Sequence, residues 1–288
     1  MRVPVSMTFS NKIWQFRLLL AALLLASIAL ASPPTCAQSP GQESSQELAE
    51  AQALTSKHLF LRGLYLASKL EFDGNGLVRG KPKTGSFTLC GVFLENVEQQ
   101  GGVIEFKGYR IGLTFDSISK QLKEIRLPEK IDIRIADGGN PKTFVTALNT
   151  IFADGMDAGI LSSMPSYWQH FFDPKLAWSP DDLTNIDIKS FGDSKTMSSS
   201  IQAPKLRGGP DPKYNDYAKE MHYEGASVLH LVVDMKGRPR HIAIVKPLGL
   251  GLDEEAIAAV QKYRFKPATN NGQPVPVGIN IEVFFHIY

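Results

Sequence analysis

Residues 249–288 read GLGLDEEAIAAVQKYRFKPATNNGQPVPVGINIEVFFHIY, and this stretch decides how the end of the chain folds. Asp253 is placed to cap a helix, because a carboxylate there accepts from the free amides of a first turn. Glu254 and Glu255 follow where the helix dipole is positive, and Leu252 with Ile257 makes a hydrophobic staple. Ala256, Ile257, Val260 and Tyr263 recur at three-and-four spacing and give the helix one apolar face. Phe265-Lys266-Pro267-Ala268 reads as its stop, since Pro267 excludes αR geometry from Lys266. Beyond the turn-rich Asn270-Asn271-Gly272-Gln273-Pro274, Ile279, Ile281, Val283, Phe285 and Ile287 point one way and Asn280, Glu282 and His286 the other, the pattern of a half-buried strand.

Upstream, residues 227–234 (SVLHLVVD) and 240–246 (RHIAIVK) are β-rich runs joined through Asp234-Met235-Lys236-Gly237. Gly237 suits the left-handed position of a short hairpin loop. Hairpin, helix, strand is then the order, and a three-stranded antiparallel sheet with the helix on one face buries both apolar surfaces. The fold class is α+β.

The ordered set GASVLHLVVD (225–234), Gly237, GLDEEA (251–256), YRFKPA (263–268), GQPVPV (272–277) and IEVF (281–284) resembles the C-terminal domain of the TonB energy-transducer family, over residues 212–288. That family often reads Tyr-Pro-x-x-Ala where this chain has Tyr214-Asn215-Asp216-Tyr217-Ala218, a local departure on a short helix. The resemblance implies capture of the short N-terminal box peptide of an outer-membrane receptor. An extended peptide adds as a strand to an open sheet edge, here Ile279, Asn280, Ile281, Glu282, Val283, Phe284 and Phe285, with Asn280, Glu282 and Phe284 tuning it. The same alternation fits a strand that completes a core, so pattern alone leaves edge and centre open. Homodimerisation through this edge is a further reading.

The beginning of the chain reads as an export signal. Arg2, Lys12 and Arg17 precede an uncharged apolar run at 18–31 (LLLAALLLASIALA), with a small-x-small cut after Ala31 or a second after Ala37. The expected location is the periplasm; if the segment stays uncleaved, the protein contacts the inner membrane and faces the periplasm from it. The run falls short of the roughly 20 residues that cross a bilayer comfortably. A TonB-type transducer keeps a membrane helix with a histidine motif and a long proline-rich spacer. Residues 18–31 lack the histidine and residues 38–56, read as a linker or the exposed start of a helix, lack the spacer.

Residues 57–189 read as a β-rich domain with trailing helices. Strand candidates at 86–97, 103–106, 109–115 and 130–136 are separated by glycine turns, including Gly101-Gly102 and Gly108, and suggest a small sandwich or partial barrel. Helices are expected at 141–153, with Pro141 near its start, and at 157–172, broken at Pro165. Residues 190–211, dense in Ser, Gly and Pro, form the connection to the C-terminal domain. Cys90, among Phe87, Leu89, Val92 and Phe93, reads as a buried small hydrophobe.

A hydrophobic content of 43% with 21% charged residues is globular, and a net charge of +2 gives no electrostatic argument for nucleic acid. His230, His241 and His286 sit on separate strands without metal-ligand spacing, and the chain has neither a Gly-x-Ser-x-Gly elbow nor a phosphate loop. No catalytic residue, metal or cofactor is expected. The alternative to the envelope peptide binder is a soluble periplasmic ligand-binding protein or enzyme that uses the TonB-like domain for docking, marked by a deep polar pocket in the N-terminal part.

Overall fold

The computed structural model describes residues 40–136, 140–190 and 201–287. The export segment and part of the 190–211 connection lie outside them. In chain order the first part runs α1 (Pro40–Gln52), β1 (His58–Leu61), β2 (Lys69–Phe72), a 3₁₀ turn (Phe87–Leu89), β3 (Gly91–Gln100), β4 (Val103–Asp116), β5 (Gln121–Ala136), α2 (Pro141–Ile151), β6 (Phe152–Ala153), α3 (Ala158–Ser163) and α4 (Ser166–Phe172). The second part runs β7 (Lys189–Ser190), β8 (Ile201–Gln202), β9 (Lys205–Gly208), α5 (Asp216–Glu220), β10 (Gly225–Val233), β11 (Pro239–Lys246), α6 (Leu252–Val260), β12 (Arg264–Lys266), β13 (Ala268–Asn270), β14 (Gln273–Val275) and β15 (Val277–Phe285).

The strands of the first part make one six-stranded sheet, ordered β2-β5-β4-β3-β1-β6, and not the expected sandwich or barrel. A sandwich needs a second sheet to cover the apolar face. Here helices cover it: Phe144, Leu148 and Ile151 of α2 and Ala51 of α1 bury against Leu59, Val92, Ile104, Phe106, Ile131 and Ile133. Within the segment read as a linker or the exposed start of a helix, Pro40–Gln52 form a helix that is packed and not exposed, with Ala51 and Glu47 buried. Gly108 is not a turn. It lies inside the single strand β4, where an added Cβ would sit 1.9 Å from the carbonyl oxygen of Phe93. The two expected helices form, with Asn140 and Asp157 as their N-caps and Pro165 at the break, but the first ends at Ile151 because Phe152–Ala153 pair with β1 as strand β6.

In the second part β10 is central, flanked by β11 and β15, both antiparallel to it. A short parallel β7 extends the expected three-stranded sheet to four, in the order β11-β10-β15-β7. The hairpin loop forms as read: Asp234 accepts from the amides of Lys236 and Arg238, and Gly237 takes φ 75°. Two readings of the helix are corrected. Gly251, at φ 75°, holds the N-cap position of α6, and Asp253 is the second residue of the helix. Its buried carboxylate accepts from the amides of Leu248 and Gly249 at 2.8 Å and from the Ser227 hydroxyl at 2.6 Å, so it organises the preceding loop instead of capping. The helix also ends at Val260, well before Pro267. Arg264–Lys266 becomes strand β12, paired with β9 in the stretch read as connection, and the Phe265 amide donates to the Gly237 carbonyl. β13 and β14 form a tight hairpin across Asn271 and Gly272, both with positive φ.

The two parts share one core. Phe60, Phe87, Leu113, Leu127 and Trp168 belong to the same buried cluster as Leu229, Leu231, Leu250, Ile257 and Phe285. The far end of β4 continues onto the loop before α6: Leu250 donates to the Leu113 carbonyl at 2.8 Å and Phe115 to the Leu248 carbonyl at 3.1 Å. Arg110, fully buried at a bulge opposite residues 127–129, donates to the carbonyls of Tyr65, Leu66, Ala67 and Leu89 and to Glu129. The same Glu129 oxygen accepts from the Tyr217 hydroxyl of α5 at 2.5 Å. A buried guanidinium is tolerated because every N–H finds an acceptor.

Gly249 has φ 104°, and a Cβ there would stand 2.3 Å from the Leu113 carbonyl oxygen. Gly249→Ala is expected to cost on the order of 2–4 kcal/mol of unfolding free energy, through strain and loss of the β4 contact. Denaturant titration checks this; a loss below about 0.5 kcal/mol would mean that the contact is dispensable.

Candidate peptide-binding edge

The sequence pattern leaves edge and centre open for the last strand, and the pairing among the described residues bears on it. β15 pairs with β10 over its whole length, from Val277 opposite Val233 to Phe285 opposite Gly225. On its other side β7 pairs with Val277 and Gly278, and from Ile279 onward no strand is paired there among the described residues. All seven expected residues, Ile279, Asn280, Ile281, Glu282, Val283, Phe284 and Phe285, lie on β15, and among the described residues only β10 pairs with them.

Alternation sorts their side chains. Val283 and Phe285 are buried, Ile279 and Ile281 are half-buried, and Asn280, Glu282 and Phe284 face outward, Phe284 being 67% exposed. The strand is pinned from several directions. His230 on β10 bonds through Nδ1 to the Asn280 side-chain oxygen at 2.9 Å. The Phe285 ring meets Tyr214 edge-on at 5.6 Å, and the Ile287 amide donates to Glu224 at 2.6 Å. That last bond, followed by His286 beside it, holds the Glu224 carboxyl below the ordinary carboxylate range.

The opposite outer strand, β11, is overlaid. Helix α4 packs along it. Trp178 lies between the rings of His170 and His241, at centroid distances of 3.6 and 4.8 Å. Asp181 accepts from Arg240 at 2.6 Å and bonds His241 Nε2 at 2.9 Å. The Asp181 contacts span some sixty positions of chain, and no local pattern announces them. The Asn280 to His230 bond is hidden for the same reason.

Other chemistry is sparse. Cys90 is buried as expected, its thiol donating to the Phe87 carbonyl and pushed up to about 12 by burial. Among the described residues no group of three or more His, Cys, Asp or Glu is arranged to hold a metal. A cleft of about 850 Å³ between the two parts is lined by Lys83, Ser86, Glu129, Tyr217, Glu254 and others. Its hydroxyl at Ser86 is spent on Thr88, and Thr88 in turn accepts from the Gly251 amide. Glu254 accepts from Trp168 Nε1 at 2.8 Å. Burial, then the charge of Asp253, pushes Glu254 up to about 7; burial pushes Asp253 up to about 6.

Both shifts favour the protonated form in the folded state. The folded protein therefore binds more protons than the unfolded chain, and stability falls as pH rises from the ordinary carboxylate range to about 7. Glu254→Gln keeps an acceptor for Trp168 and should remove about half of that slope, gaining on the order of 2 kcal/mol at pH 8. Thermal melts of both proteins between pH 4.5 and 8 check this; parallel profiles would contradict it.

Residues 210–287 match the family model described as the Gram-negative bacterial TonB protein C-terminal. A similar solved structure is the solution NMR structure of the Pseudomonas aeruginosa TonB C-terminal domain, at 23% identity with a TM-score of 0.25, over 31% of this chain and 89% of that one. No curated protein matches. The chain thus carries a TonB-family C-terminal domain over residues 210–287, following a β-rich part that these matches do not reach.

Proposed function

We propose that this protein is exported to the cell envelope and captures an extended segment of an outer-membrane receptor by strand addition along Ile279–Phe285. The observation that supports the reading is that, among the described residues, no strand pairs with the far side of β15 beyond Gly278. Main-chain groups along that side supply ladder hydrogen bonds with little demand on sequence, and Phe284 offers an apolar surface beside the added strand. The basic and apolar pattern of residues 1–31 supports export. Among the described residues no helix is long and apolar enough to cross a membrane. The absence of a histidine from residues 18–31 and of a proline-rich spacer supports peptide capture without force transduction.

The test is hydrogen exchange by NMR, with and without a synthetic peptide carrying a receptor N-terminal box. Strand addition protects alternate backbone amides between Ile279 and Phe285, because every second amide of β15 points away from β10. Phe284→Ala should weaken binding about three- to tenfold without changing the melting temperature by more than a degree or two. Peptide binding that leaves these amides unprotected would overturn the proposal.

A further inference from the structure

Basic residues gather at one corner of the TonB-like part. β9 pairs with β12, and the 234–237 loop closes on the other side of β12, where the Phe265 amide donates to the Gly237 carbonyl at 2.9 Å. These segments and the end of α6 bring together Lys205, Arg207, Lys236, Lys262, Arg264 and Lys266, all of them exposed. Phe265 is buried, so its neighbours Arg264 and Lys266 point to the opposite side of the strand. Lys205 is the direct partner of Lys266, which sets their Cβ atoms about 5 Å apart. Like charges placed this way repel.

The carboxylates nearby do little to relieve that repulsion. Asp234 is 3% exposed and spent on Arg238 and on two amides, while Asp211 stands by Tyr263. Among the described residues none of the six cations forms an ion pair; Arg264 donates instead to the carbonyls of Lys262 and Tyr263 at 3.4 and 2.8 Å. Two apolar side chains project beside the charges, Met235 in the hairpin loop, 50% exposed, and Leu206 on β9, 56% exposed. A single-stranded nucleic acid calls for exposed rings to stack on, and here Phe265 is buried and Tyr263 half-buried. Clustered cations flanked by protruding apolar groups suit a bilayer of anionic lipid, whose phosphates take the charges while the apolar groups enter the headgroup boundary.

We infer that this corner docks on an anionic phospholipid surface, with Lys205, Lys236 and Lys266 on headgroup phosphates and Leu206 and Met235 inserted beside them. The full chain is mixed with vesicles of phosphatidylcholine alone or of phosphatidylcholine with phosphatidylglycerol; sedimentation gives the affinity, and hydrogen exchange locates the contact. The anionic vesicles should bind the protein about tenfold or more tighter at low salt, and slow exchange at 205–208 and 235–237. Lys205→Gln combined with Lys266→Gln should weaken that binding about ten- to thirtyfold without lowering the melting temperature, because the repulsion between the pair goes with the charges. Leu206→Ser combined with Met235→Ser should weaken vesicle binding about three- to tenfold and leave any binding of free inositol hexakisphosphate unchanged. Equal binding to both kinds of vesicle would overturn the proposal. So would anionic-vesicle binding that leaves exchange at 205–208 and 235–237 unaltered, which places the contact elsewhere on the chain. Vesicle binding that the two serines do not weaken would make the corner a site for free polyanions and overturn the lipid assignment.

Discussion

The backbone of residues 248–251 serves two structures at once. From one side, Leu113 and Phe115 of β4 exchange hydrogen bonds with Leu250 and Leu248. From the other, the buried carboxylate of Asp253 takes the amides of Leu248 and Gly249 and the hydroxyl of Ser227. Three consecutive left-handed residues, Gly249, Leu250 and Gly251, make this possible by turning amides in both directions within four positions. Unpaired, those buried amides and that carboxylate would each cost free energy comparable to a lost hydrogen bond. Arg110 repeats the logic elsewhere on β4, bonding four carbonyls and Glu129, which also holds Tyr217. The β-rich part and the TonB-like part are joined through these polar contacts as well as through a continuous apolar core.

That joint bears on the edge. β15 hangs on β10, whose inward residues Leu229, Leu231 and Val233 sit in the shared core. A strand held this way needs little ordering when a peptide adds to it, and less ordering leaves more of the ladder energy for affinity. At the other end of the sheet, β11 is overlaid by α4, Trp178 and Asp181.

Much of the second part was legible because its signals are local. The alternation of 279–287, the Asp234 to Gly237 loop and the Asn271-Gly272 turn each depend on residues within a few positions of one another. The errors have a common cause. Asp253 reads as a helix cap by position, but its partners are the loop behind it and Ser227 on a distant strand. Arg264–Lys266 reads as the tail of a helix ahead of a proline, but β9 offers it a ladder that is worth more than another turn. In the first part, Gly108 looks like punctuation until Phe93 is seen to lie against it, and a sheet covered by helices has the same strand texture as one covered by a second sheet. Which strands flank β15 is a matter of pairing, which periodicity does not encode.

The central claim is that the TonB-like domain is one body with the sheet that precedes it, not a module on a tether. Native-state hydrogen exchange in rising urea measures this directly. The slowest amides of β4 and of β10 should open with the same free energy and the same urea dependence, because either ladder is exposed when the shared core unfolds. If β10 and β15 instead open together at a distinctly lower free energy while β4 stays protected, the two parts unfold separately and the account is wrong.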